Sequence, residues 1–69
     1  MKNYKYMVRI WDNEFNVPFG SHSSNDMIDI QDYINRMTAS DRTSFDVRVY
    51  EKTLISSKII DKTQEGGAK

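Results

Sequence analysis

The sequence predicts a small α+β protein, in which one helix packs on one face of an antiparallel sheet. Two segments of alternating apolar and polar residues near the start predict a pair of strands, and a later segment of the same kind predicts a further strand. Between them, an apolar stripe at helical spacing predicts one helix. A chain of 69 residues makes one domain, which we place at residues 1–60. Residues 61–69 are polar and predict a flexible C-terminal tail.

Residues 4–11 predict the first strand, because the side chains that suit a core alternate with those that do not. One face carries Tyr4, Tyr6, Val8 and Ile10, and the other carries Lys5, Met7, Arg9 and Trp11. Residues 12–13 favour a turn, since Asp and Asn bond readily to their own backbone. Residues 15–19 predict the second strand, where Pro18 lacks an N–H and favours a sheet edge. We expect residues 20–25 to form a polar loop.

The helix is predicted to begin at Ser24 or Asn25, either of which can cap it, and to end within residues 38–40. Its apolar stripe follows a spacing of three and four residues, which turns one face toward the sheet. The stripe consists of Met27, Ile30, Ile34 and Met37. Tyr33 lies on the edge of this stripe.

Residues 45–50 predict another strand, with Phe45, Val47 and Val49 facing inward. Alternation resumes over residues 54–60. A single strand through both segments would be about 53 Å long, which is too long for so small a domain. The sequence leaves two alternatives open, a hairpin that turns within residues 51–53 or one strand bent by a bulge.

The charge of the chain is neutral in total but unevenly distributed. Between residues 12 and 41 there are six acids and only one base, Arg36. The acids are Asp12, Glu14, Asp26, Asp29, Asp32 and Asp41. Asp29 and Asp32 lie on the helix roughly opposite the apolar stripe. This block predicts an acidic surface that attracts a basic partner, and the alternative is a solvated face that binds nothing.

The sequence offers little for catalysis or metal binding. It contains no Cys, and its single His, His22, lies between serines in the predicted loop without a partner to orient it. Thiolate metal sites and disulfides are excluded, and the acids lack the glycine and distal Glu of a calcium loop. No glycine-rich phosphate loop is present. We therefore expect a protein that is not an enzyme, with no cofactor and no metal.

The predicted sheet keeps one face that the helix cannot cover. Met7, Trp11 and Tyr50 lie on it, and exposed aromatic residues in a small domain suggest a partner surface. Because so small a core is marginally stable, we expect a homodimer that uses these three residues. No apolar run is long enough to span a membrane and no signal peptide is expected. The lack of Cys fits a reducing cytoplasm.

The chain resembles the small phage-encoded inhibitors of uracil-DNA glycosylase. The similarity covers residues 4–52 and consists of a Tyr-rich first strand, an acidic–aromatic pair in the helix (Asp32 and Tyr33) and a final alternating strand over residues 45–52. The resemblance implies a homodimeric DNA mimic in the cytoplasm of the infected bacterium. In that family, acidic groups take the place of phosphates at the enzyme's basic groove, and a hydrophobic pocket at the dimer interface captures the apolar side chain that the enzyme inserts into DNA.

The resemblance also implies where the partner binds. Tyr33 matches a helix aromatic that lines the family's pocket, and Met37 occupies the position of a family Tyr one turn later, without its hydroxyl. The acids expected at the interface are Asp26, Asp29, Asp32 and Glu14. The partner expected is the host uracil-DNA glycosylase.

Two alternatives remain beside this expectation. Basic and aromatic residues interleave along the first strand, which suits single-stranded nucleic acid. They are Lys2, Tyr4, Lys5, Tyr6, Arg9 and Trp11, of which Lys5, Arg9 and Trp11 share one face. Against this, Tyr4 and Tyr6 lie on the opposite face and the acidic block would repel phosphate. The other alternative is an acidic module that blocks a different DNA-binding protein of the host.

Overall fold

The computed structural model describes residues 4–62 and confirms the α+β class. It contains a four-stranded antiparallel sheet in the order β2-β1-β3-β4 and a single helix, which packs on one face. The elements are β1 (Tyr6–Asp12), β2 (Val17–Ser24), α1 (Met27–Thr38), β3 (Ser44–Glu51) and β4 (Thr53–Asp61).

The second strand differs most from the prediction. It begins at Val17 and continues to Ser24, so that most of the predicted polar loop belongs to the sheet. Asn16 adopts a left-handed conformation, with φ of 60°, and completes the turn after β1. Pro18 lies opposite Trp11 at a register shift on the outer side of this edge strand, as its missing N–H requires. Pairing with β1 satisfies the backbone groups of the following serines, which outweighs their preference for loops.

The helix agrees closely with the prediction but uses a different cap. Asp26, rather than Ser24 or Asn25, is the N-cap, and its carboxylate accepts a hydrogen bond from the Ile28 N–H at 2.9 Å. The Ser24 hydroxyl accepts from the Asp26 N–H in turn. Of the predicted stripe, Ile30 and Ile34 are buried and contribute about 1.5–3 kcal/mol each, while the flanking methionines are half-buried.

The end of the chain forms a hairpin. Lys52, with φ of 68°, is the single residue between β3 and β4, and a bulge shifts the register between Val49 and Tyr50. The predicted tail begins too early, because Asp61 belongs to β4 and the Lys62 N–H donates to the Thr43 carbonyl at 2.7 Å. The remainder of the predicted tail, residues 63–69, lies outside the described residues.

The core lies between the helix and the central strands. Its buried members are Val8, Ile10, Ile30, Ile34, Phe45, Val47 and Val49. The predicted inward faces of the first and third strands are thereby confirmed. β4 receives little cover, and Leu54, Ile55 and Ile59 remain exposed on it. One face of the sheet and one edge strand are therefore open to solvent.

Candidate protein-binding site

A groove between the helix and edge strand β2 brings together three of the residues predicted to bind a partner. Tyr33, Met37 and Asp29 line it, together with His22 and Arg36, and its volume is about 320 Å³. Tyr33 and Met37 are one turn apart on the helix, so their side chains lie side by side over the strand. Sequence reasoning missed His22, because the strand that carries it was taken for a loop.

Gly20 makes room for the two apolar members of this groove. A Cβ built on Gly20 would overlap the Tyr33 hydroxyl oxygen and would lie 2.9 Å from the Met37 Cε. A larger residue would therefore require the ends of these two side chains to shift away from β2. The close contact of Tyr33 and Met37 with this strand thus makes use of the missing side chain of Gly20.

A hydrogen bond and an aromatic stack orient the polar side of the groove. His22 Nε2 lies 3.0 Å from Asp29 Oδ2, and the His22 ring stacks on Tyr33 with 4.8 Å between centroids. The hydrogen bond with His22 lowers the pKa of Asp29, and one with Ser24 lowers it further. Because the folded state depresses this pKa, Asp29 stabilises the fold above the pKa of the unfolded chain. That contribution is lost as the pH falls through the folded value.

The other predicted acids are largely occupied within the chain. Asp32 accepts from Arg36 Nη2 at 2.6 Å, and this contact raises the pKa of Arg36. Asp26 caps the helix. Glu14 Oε1 accepts from both the backbone N–H and the hydroxyl of Thr43, which ties the first hairpin to the loop before β3. Together these contacts leave the acidic surface less negative than the sequence alone indicates.

Asp12 does not belong to the predicted acidic surface. Its side chain is 1% exposed and accepts from the backbone N–H groups of Glu14 and Phe15 at 2.9 and 3.2 Å. Arg42 Nε donates to its other oxygen at 3.0 Å, while the Arg42 guanidinium lies over the Phe15 ring. This carboxylate is a structural link between two loops, because buried charge requires such partners.

The residues predicted for a dimer interface lie together on the face of the sheet opposite the helix. Met7 pairs with Tyr50 across β1 and β3, and Trp11 lies four residues beyond Met7 on the same face. Between them, Arg9 stands directly opposite Arg48. No structure of a second copy tests the dimer, which remains a prediction.

Within residues 4–62, no group of three or more His, Asp or Glu side chains is placed to hold a metal ion. Over the same part of the chain, no helix is long and apolar enough to cross a membrane. Among the described residues, the His22 side chain forms its hydrogen bond with Asp29 and not with a hydroxyl group.

The fold and the groove together define a class, a small α+β protein with a groove on the helix side and an open sheet face. Comparison with protein-family models, with curated proteins and with solved structures gave no match to this chain.

Proposed function

We propose that this chain is a phage protein inhibitor of the host uracil-DNA glycosylase, which it blocks as a DNA mimic. The observation that carries the proposal is the groove in which Tyr33 and Met37 lie beside Asp29. The groove would receive the apolar side chain with which the enzyme pries a base from DNA, and the neighbouring carboxylates would meet the cations that grip phosphates.

The apolar part of the groove supports the proposal more strongly than the acids do. A half-buried ring and a thioether at a concave surface can accept a protruding aliphatic side chain, and Met adapts to its shape. Asp29 and Asp32 already have side-chain hydrogen-bond partners in His22 and Arg36. Binding would therefore require the enzyme's cations to join or displace these partners. The expected homodimer would present two such grooves.

The test is excision of uracil from a labelled oligonucleotide by a bacterial uracil-DNA glycosylase mixed with this protein. We expect stoichiometric loss of activity that excess undamaged DNA does not relieve. Met37→Gln should weaken inhibition at least tenfold, because it places an amide where an apolar side chain must enter. Met27→Gln is the matched control, since Met27 is equally half-buried on the same helix but lies outside the groove.

Circular dichroism of both variants separates loss of binding from loss of folding. Full enzyme activity at a large molar excess of the folded protein would overturn the proposal. Equal inhibition by the two variants would show that the enzyme is bound elsewhere. If other DNA-binding enzymes are inhibited and the glycosylase is not, the acidic module with a different partner becomes the better explanation.

A further inference from the structure

We infer that the face of the sheet opposite the helix binds single-stranded nucleic acid. This outer face carries an open groove of about 570 Å³, which Arg9, Trp11, Arg48 and Tyr50 help to line. The two arginines occupy the middle, and an aromatic residue lies toward either end. The proposal does not involve the helix-side groove of the glycosylase proposal, but it replaces the homodimer interface that the sequence predicts on this face.

The two arginines form a like-charged pair that destabilises the sheet when no ligand is bound. Arg9 and Arg48 are directly opposite each other on neighbouring strands, where like charges repel. Arg48 Nη2 reaches Asp46 at 3.2 Å, whereas the Arg9 side chain has no ion pair or hydrogen bond among residues 4–62. An anion placed between the two guanidinium groups would relieve the repulsion, and phosphate suits their planar donors.

The aromatic residues identify the rest of the ligand. Trp11 is 39% exposed, and its Nε1 donates to Asn16 Oδ1 at 3.3 Å, which orients the indole. Tyr50 lies four residues beyond Asp46, the strand partner of Trp11, and so about 13 Å further along the sheet. Aromatic rings separated by cations are the arrangement on which unpaired bases stack while their phosphates are neutralised.

A second copy of this chain fits the outer face less well. A two-fold dimer through this face would bring two Arg9–Arg48 pairs together with only two Asp46 carboxylates to compensate them. The excess positive charge would be buried at the interface. Charge complementarity therefore favours an anionic occupant.

The fold also removes both objections that the sequence raised against nucleic acid. The aromatic platform is not split, because β3 supplies Arg48 and Tyr50 beside Arg9 and Trp11. The acids of the helix lie on the other side of the sheet, and Asp12 is buried. Phosphates on the outer face would thus be shielded from most of the acidic block by the sheet itself.

Binding can be measured through Trp11, the only tryptophan in the chain. The full-length protein is titrated at low salt with dT8, with U8 and with a duplex of the same length, while tryptophan fluorescence and the anisotropy of a labelled strand are followed. We expect quenching by one or both single strands and at least tenfold weaker binding of the duplex. The comparison of dT8 with U8 decides between DNA and RNA.

Variants locate the site. Arg9→Gln should weaken binding at least fivefold and reduce the slope of log K against log salt by about 0.7. Trp11→Phe should weaken binding less and remove the fluorescence signal, leaving anisotropy as the readout. Lys58→Gln is the matched control, because it removes one exposed positive charge from the helix side of β4, and it should bind within twofold of the parent.

Three results would overturn the proposal. They are the absence of any signal up to millimolar oligonucleotide, equal weakening by Arg9→Gln and Lys58→Gln, and equal quenching by a poly-glutamate peptide at matched charge. Sedimentation showing a dimer that Arg9→Gln strengthens would assign the outer face to a second copy instead.

Discussion

At the scale of single residues, the acids of this chain have different roles although the sequence presents them as one block. Asp12 is buried with three donors, and Asp26 caps the helix. Asp41 is exposed, and its side chain forms no hydrogen bond or ion pair within the described part of the chain. The cap of Asp26 and the two N–H contacts of Asp12 are local, whereas the burial of Asp12 and its pair with Arg42 come from tertiary structure.

We expect Asp12→Ala to lower the free energy of unfolding by about 3 kcal/mol, because it leaves two buried N–H groups and Arg42 without their acceptor. Asp12→Asn should cost less, since an amide oxygen can still accept from the two N–H groups. Urea unfolding measures both. Asp41→Ala is the control and should change stability by less than about 0.5 kcal/mol. A loss for Asp12→Ala as small as for this control would contradict a structural role.

At the scale of elements, the helix depends on its cap and on the close fit of its far end against β2. The cap begins the helix directly after the strand, and Gly20 allows Tyr33 and Met37 to approach the strand backbone. The groove therefore depends on the cap at the start of the helix and on the packing of Tyr33 and Met37 against β2.

The contribution of the cap is tested by Asp26→Ala, which we expect to lower stability by about 1 kcal/mol because the Ile28 N–H loses its acceptor. Asp32→Ala removes the same charge from the same helix but only an exposed pair with Arg36, and should cost less. Thermal unfolding followed by circular dichroism compares the two variants. Equal losses would indicate that helix charge, rather than capping, is responsible.

At the scale of the whole molecule, the packing is uneven across the sheet. β1 and β3 carry the buried core, whereas β4 lies at an edge with most of its side chains exposed, including Ile59 at 68%. An exposed edge strand with apolar side chains can pair with another chain. Because few buried contacts hold β4 in place, we expect local unfolding of the isolated protein to begin there.

Native-state hydrogen exchange tests whether β4 opens more readily than the central strands. The amides of β4 that bond to β3 should exchange at least tenfold faster than those joining β1 to β3, because few buried contacts oppose the local opening of β4. The measurement is made at two protein concentrations. Uniform protection at both would contradict the prediction, and protection of β4 that rises with concentration would show a second copy at this edge.

The sequence by itself determined the fold class, the extent of the helix and the inward faces of the first and third strands. These follow from periods of two and about 3.6 residues, which are properties of local chain geometry and can be read from any short window. The apolar pair Tyr33 and Met37 was predictable for the same reason. The sequence could not choose between a hairpin and a bulged strand after residue 50, and the structure contains both features.

Only the tertiary structure decided which residues meet across the chain. Four features depend on contacts between distant segments. They are the length of β2, the burial of Asp12, the pairing of His22 with Asp29 and the alignment of Arg9 with Arg48. Strand order and register arise from the pairing of whole strands, and a shift of one residue reverses the face on which every side chain lies. Both proposed sites depend on that register, which no local pattern in the sequence encodes.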